Sequence, residues 1–562
     1  MASATGAFGQ VGTTPSRKAG ASIRSQHRIM TSVQQIPVLV VGGGLVGLSA
    51  ALFLEYHDIP YVLVERRAGA SVLPRSRGMH VRTAELYRQI GIEEPVQRAA
   101  STALRAGGFG GAWEGDSLRT ATALELPPSM LAMMKGDPSP ARFLFLPQVL
   151  LEPVLADLAR ERGGDLRFGV ELVDFDGDAA GVTATLRDES GSVTRVRADY
   201  LIAADGAGSP IRRALGIPGA ELPPTHHYLN AFCRVDLTGV LGGRSFSQCE
   251  IVNDRVRGLV LTKNNTDEWS FHIEYDPAAE SPRDYPDERC VDLIRAMIGE
   301  HDIPVEVLAR SAWDTGTFVA DEYRRDRIFL AGDAAHRHAP WGGFGGNTGI
   351  ADVHNLAWKL AAVLAGTAGP ALLDTYAAER RARATVAVEQ SRLGADFRTR
   401  YRIATGDNAD DLARQLDPGA VMTRFRYASN AVCGTATGRP HVDRLAGQPG
   451  TRLPHLWIDA AESVSTLDLC GPGFALLVVG TSAAWRDAAA RALRDTGIEI
   501  AVHALPAEPW GIATWLPEGG ALLVRPDMHV AARSDTGLTP ATLTATLRSI
   551  TGREARSSRH AS

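Results

Sequence analysis

The sequence predicts an α/β protein: a parallel-sheet lobe, an antiparallel sheet inserted into it, and a compact α/β domain near the C-terminal end. Three observations predict it. A β-branched run, a glycine turn and an apolar helix-forming stretch follow one another between Ile36 and Tyr56. Strand-like runs dominate residues 220–315, and residues 430–550 alternate strand-like and helix-like segments again.

Taken in order, residues 1–35 are rich in Gly, Ser, Thr and Ala without hydrophobic periodicity and read as a disordered tail, with Met30 a candidate start of translation. The next stretch, IPVLVVGGGLVGLSAALFL, carries no charge and follows Arg17, Lys18, Arg24 and Arg28. Its length suits a membrane span as well as a buried strand and helix. The glycines decide. Gly42, Gly44 and Gly47 stand in the spacing G-x-G-x-x-G, which supplies a tight turn, a close approach to a pyrophosphate and close helix-strand packing. The strand IPYVLVE that follows ends in Glu65, about 20 residues beyond the loop, where an acid can bind a ribose hydroxyl. A membrane segment requires no such acid, so the stretch reads as a nucleotide site.

The basic loop after Glu65 carries Arg75, Arg77 and Arg82. Solvated surface charge is the plain reading; contact with phosphate oxygens, for which a guanidinium fork is suited, is the alternative. Residues 109–139 are irregular and Met-rich, and ARFLFLPQVLLEPVLADLARE reads as a strand entering a helix with Gln148 at its start. YLIAADGAGSPIRRALG places Asp205, Gly206, Ser209 and Arg212 where a strand meets a helix, for which helix capping is a sufficient explanation taken alone. RIFLAGDAAH ends a strand at Gly332 and Asp333, and PWGGFGGNTG follows from Pro340. Glycine of that density before a helix permits backbone approach to a flat or anionic ligand.

Composition narrows the function. A 562-residue chain needs several cores, and 44% hydrophobic with 22% charged residues is ordinary for a globular protein. A formal charge of -5 gives no basic footprint for nucleic acid. Cys233, Cys249, Cys290, Cys433 and Cys470 are scattered without a C-x-x-C pair, which fits a reducing, cytoplasmic setting and offers no zinc or thiol-redox motif.

The three ordered motifs, G-x-G-x-x-G, D-G and G-D, together resemble the class A flavoprotein aromatic monooxygenases, the p-hydroxybenzoate hydroxylase family, over residues 36–400. APWGGFGGNTGIADVHNLAWKL and the extra C-terminal domain look most like the bacterial aromatic-polyketide hydroxylases. The resemblance implies a Rossmann-like FAD-binding domain (36–108, 140–215 and 316–400), a substrate domain (109–139 and 216–315), a linker (401–429) and a thioredoxin-like domain (430–552) with a structural role. It implies that Gly42, Gly44 and Gly47 approach the FAD pyrophosphate, that Glu65 binds the adenosine ribose with Arg66 beside the adenine, and that one of Arg75 or Arg77 contacts ribose or phosphate. Gln148 would bond the FAD linker and Asp333 the ribityl chain. Asp205 would affect both FAD and the nicotinamide cofactor. The loop of Pro340, Gly343, Gly345, Gly346 and Asn347 would face the flavin, with N–H groups of Gly346 and Asn347 toward its pyrimidine and a helix starting near Thr348.

The chemistry so implied is reduction of FAD by NADPH, capture of O2 as a C4a-hydroperoxide and hydroxylation of a polycyclic phenol or quinone. Baeyer-Villiger or ring-rearranging oxygenation is an alternative on the same scaffold, as is a drug-inactivating or sequestering flavoprotein. The sequence names no general base: His226, His227, Tyr228, His272 and Trp341 lie in segments of the substrate site, but spacing alone does not assemble them. A homodimer is the candidate assembly, and no metal is implied.

Overall fold

The computed structural model describes residues 33–69, 76–105, 110–128, 130–131, 136–434 and 439–553. Its central sheet starts with β1 (Gln34–Val41), so Gln34 and Gln35 belong to the fold and not to the tail; the rest of that tail lies outside the described residues. β1 feeds α1 (Leu45–Tyr56) and β2 (Tyr61–Glu65). β1 pairs in parallel with β2 on one side and with the strand Val193–Ala203 on the other, and that strand pairs in parallel with Ile328–Leu330. Val38–Val41 are buried on both faces, which explains the unbroken apolar run.

The parallel order has a functional consequence. Val41 lies level with Ala203 and Val64, and Ala203 with Leu330, so these strands end in one row at one edge of the sheet. Three motifs far apart in sequence therefore emerge side by side, the place where open α/β sheets bind ligands.

The inserted sheet has seven strands, in the order Glu306–Asp314, His227–Arg234, Glu268–Tyr275, Arg257–Thr262, Phe246–Val252, Gly111–Gly115, Thr122–Ala123. It is mixed and not purely antiparallel, because Gly111–Gly115 joins Phe246–Val252 in parallel. Gly219–Leu222, expected with this sheet, instead pairs with Thr317–Ala320 in a separate three-stranded sheet. The segment 401–429 contains the short helices Ala409–Arg414 and Pro418–Met422.

The C-terminal domain is thioredoxin-like. Phe474–Val479 is central, parallel to Ile500–Leu505 and antiparallel to Ala521–Val524, which pairs with Val530–Arg533. The helices Ala483–Thr496 and Leu543–Ile550 pack against each other beside it. Its buried Arg525 reaches into the first lobe, where it meets Glu379 (Nη1 to Oε1, 2.6 Å), and Glu379 also binds Lys359 (2.8 Å). Among the described residues no helix is long and apolar enough to cross a membrane.

Candidate cofactor cleft and active site

The row of strand ends opens into a cleft of about 700 Å³. Gly42 turns the chain with φ +112°, and a Cβ there would stand 2.2 Å from the Ala204 carbonyl oxygen. Gly47 fits against the loop so closely that a Cβ would lie 1.8 Å from the Gly42 oxygen. Gly44 has open space, its nearest neighbour being Glu152 Oε1 at 3.6 Å, and it faces the cleft. The spacing thus divides labour: Gly42 and Gly47 shape the turn and its packing, and Gly44 leaves room for a ligand. Gly47 itself does not line the cleft, unlike the expectation that all three glycines approach the pyrophosphate.

Glu65 ends β2 beside this loop, its Oε2 accepting from Gly43 N–H (2.8 Å) and its Oε1 from Arg67 N–H (2.9 Å). Arg66, Gln148, Asp205, Asp333, Pro340, Gly343, Gly345 and Gly346 also line the cleft. The helix after the glycine-rich loop begins at Phe344, four residues before Thr348, so the loop's last glycines form its first turn. The N–H groups of Phe344, Gly345 and Gly346 lack partners within the helix by construction and carry the positive end of its dipole.

Three residues singled out in the sequence do not line the cleft. Asn347 sits one turn inside that helix and does not line the cleft. Its Oδ1 accepts from His80 N–H (2.8 Å) and from the Thr83 hydroxyl (2.6 Å), and its Nδ2 donates to Gly343 O (2.7 Å), so it braces the loop from behind. Arg77 points away from the phosphate loop: its Nη1 donates to the carbonyls of Ser247 (2.8 Å) and Thr262 (3.1 Å) in the inserted sheet. Arg82 is turned toward Glu85 and the Asp527 carbonyl. Arg75 lies outside the described residues.

Sequence reasoning missed two groups. Glu152, one turn beyond Gln148, accepts from Gln148 Nε2 (2.6 Å) and from the Leu45 N–H at the start of α1 (3.0 Å); the i, i+4 spacing from Gln148 was the available signal. His338 lines the cleft and is half-buried, with both ring nitrogens buried and, among the described residues, unpartnered; burial, with His336 and the Arg383 charge, holds it neutral. Asp205 Oδ1 is likewise buried without a partner, and burial raises that carboxyl's pKa. Behind Asp333, Asp352 fixes the turn by accepting from Gly332 N–H (3.0 Å), His336 (2.6 Å) and Arg380 (2.8 Å).

These features test whether a flavin dinucleotide fits. A glycine turn open at Gly44, an acid at the second strand end, a helix dipole over the loop and orphaned buried polar atoms on the wall match its phosphates, ribose and ring. A model of the FAD binding domain family matches residues 35–391, and one described as aromatic-ring hydroxylase, C-terminal, matches residues 446–554.

The chain belongs to the FAD-binding aromatic-ring hydroxylases.

As a member of these hydroxylases it is an FAD-dependent aromatic monooxygenase. It is 40% identical over 533 residues to tetracenomycin B2 monooxygenase-dioxygenase of Streptomyces olivaceus, covering 89% of this chain and 96% of that one. It is 35% identical over 528 residues to an aklavinone 12-hydroxylase of Streptomyces purpurascens, covering 89% and 96%. The crystal structure of aklavinone-11 hydroxylase with FAD and aklavinone superposes with a TM-score of 0.84 at 33% identity, over 92% of this hydroxylase and 99% of that chain.

At the far end of the loop, the hydroxylase holds an aromatic cluster against the inserted sheet. Tyr228 stacks on Trp313 (centroids 4.6 Å) and meets Trp341 edge-on (6.3 Å), while Arg400 lies 3.7 Å over the Trp341 ring. His272 Nδ1 accepts from the Trp313 indole N–H (3.0 Å), and burial, reinforced by the Arg77 charge, depresses its pKa to about 3. Its proton therefore sits on Nε2, a buried atom with no protein partner. So held, His272 is a hydrogen-bond donor and not a general base. His226 is engaged with Thr225 and Glu274. Among the described residues no three His, Cys, Asp or Glu side chains group as a metal site.

Proposed function

We propose that this enzyme hydroxylates a polycyclic aromatic phenol or quinone of the polyketide type, using NADPH and O2, in the cytoplasm. The observation that carries the reading is the adjacency of the two sites: the loop whose Pro340, Gly343, Gly345 and Gly346 line the cleft also carries Trp341, whose ring meets Tyr228 and Trp313 edge-on. A flat apolar ring finds stacking partners there. The names of its relatives, tetracenomycin and aklavinone oxygenases, support a fused-ring substrate.

In this reading Gly44 leaves room for the pyrophosphate at the turn that Gly42 makes, Glu65 takes the adenosine ribose, Arg66 flanks the adenine, Gln148 bonds the linker, and Asp333 with His338 takes the ribityl hydroxyls. Asp205, in the cleft wall, contacts FAD and the approaching nicotinamide. Bound FAD supplies the redox chemistry. The helix start at Phe344–Gly346 favours negative charge on the flavin pyrimidine. Trp341, Tyr228 and Trp313 exclude water and orient the ring, and the neutral His272 donates Nε2–H to a substrate oxygen.

The test is steady-state NADPH consumption by FAD-loaded protein in air, with and without fused-ring phenols. Stimulation by such ligands is expected; equal consumption with every ligand contradicts the substrate assignment.

A further inference from the structure

A second, smaller cavity of about 30 Å³ is enclosed between the helices Phe344–Leu364 and Asp374–Leu393 and the C-terminal domain. Arg82, Arg380, Arg383 and Arg452 face it, against the carboxylate of Asp527. All four arginines are buried. Arg380 is fully engaged, with Asp352, the Tyr427 hydroxyl (2.6 Å) and the Thr348 carbonyl (3.0 Å). Arg82 and Arg452 share one carboxylate, Glu85.

Arg383 is different. Among the described residues it has no carboxylate partner, its only hydrogen bond is from Nη2 to the Met422 sulfur (3.3 Å), and its Nη1 is buried with no partner. Arg452 Nη1 is orphaned in the same way. Counting outward through the ion pairs, Arg82, Lys359, Arg380, Arg383, Arg452 and Arg525 stand against Glu85, Asp352, Glu379 and Asp527. Among the described residues, six Lys and Arg cations meet four carboxylates before any proton on His336 is counted, in an interior where an unpaired charge is costly. Burial pushes the Arg383 pKa down to about 9, with Arg380 adding to the shift.

We propose that this cavity binds a monatomic anion of the halide class, chloride in the cell, on the free Nη1 groups of Arg383 and Arg452. Space and chemistry agree. A water needs roughly 10–15 Å³ of such volume, so one halide fits and a tetrahedral phosphate does not. Water would satisfy the orphaned N–H groups but leave the surplus charge. Tyr427, whose oxygen accepts from Arg380, has its own proton free for the anion, and burial keeps that phenol protonated. The site is close behind the cofactor cleft: the Arg383 charge helps to depress His80 and the cleft-lining His338. A bound halide weakens that field.

The deciding experiment uses FAD-loaded protein crystallised with bromide in place of chloride. An anomalous peak in this cavity beside Arg383 is expected; solvent density without anomalous signal overturns the proposal. A second measurement is the Tm in halide against gluconate at equal ionic strength. Wild type should show a saturable rise of a few degrees, and Arg383→Gln none. The same halide-dependent rise in wild type and variant, or a phosphate effect equal to that of halide, also overturns it. If Arg383→Gln does not fold, the bromide map of the wild type decides alone.

Discussion

Glu65 Oε2 accepts the Gly43 backbone N–H at 2.8 Å, so the acid at the end of the second strand closes the glycine loop at the end of the first. One carboxylate thereby fixes the loop and lines the cleft, where the proposed function places the ribose. Glu65→Ala removes charge-assisted hydrogen bonds of about 1.5–3 kcal/mol. The FAD dissociation constant, measured by flavin fluorescence on reconstituting the apoprotein, should rise roughly tenfold to a hundredfold.

The glycines of the loop should separate by phenotype. Gly47→Ala drives a methyl into the Gly42 carbonyl and should cost about 3 kcal/mol or more in urea unfolding of the FAD-free protein. Gly44→Ala meets only the end of the Glu152 side chain, so the apoprotein should unfold at the wild-type urea midpoint while FAD affinity falls.

Arg77 is bound to the inserted sheet by the Ser247 and Thr262 carbonyls. Arg77→Met should leave FAD affinity within about twofold and weaken the stimulation of NADPH consumption by aromatic ligand, because two buried acceptors lose a charged donor. A large loss of FAD affinity would restore the phosphate-contact role read from the sequence.

Asp352 links Gly332, His336 and Arg380. Burial alone would raise its pKa, but the charges of His336 and Arg380 outweigh burial and hold it below the usual carboxylate range; Glu85 and Glu379 are depressed by their own cations in the same way. A depressed carboxylate contributes stability that is fully present above its unfolded value, about 4, and lost as pH falls through the folded value. The Tm should be level above about pH 7, decline below about pH 6.5, where the unfolded chain protonates histidines such as His80 and His272 that the fold holds neutral, and fall more steeply below about pH 4 as these carboxylates are protonated. Asp352→Asn, which leaves Arg380 without its counter-charge, should cost about 3–5 kcal/mol at neutral pH and flatten the acid limb.

Much of this was legible in the sequence because parallel strands put their motifs at strand ends. The glycine spacing, the acid ending the second strand, and the D-G and G-D turns each state a local backbone need, and the strand register then aligns them. Asn347 and Arg77 show what a sequence leaves open: it places a residue near a loop but does not tell which way its side chain turns, and here the Arg77 side chain reaches the inserted sheet while that of Asn347 braces the loop. Glu152 shows only the i, i+4 spacing from Gln148, since its bond to the Leu45 N–H spans 107 residues, and His338 has no local signal, since its value comes from lining the cleft. The parallel joining of Gly111–Gly115 to Phe246–Val252 is also a long-range pairing without a local signal.

The central claim is tested most directly by turnover of a fused-ring phenol under ¹⁸O₂ with NADPH and FAD-loaded protein, read as product mass. The account predicts one heavy oxygen atom in a ring hydroxyl, formed in step with NADPH consumed. NADPH consumption that yields only hydrogen peroxide, with the aromatic ligand recovered unchanged across the panel, would contradict it.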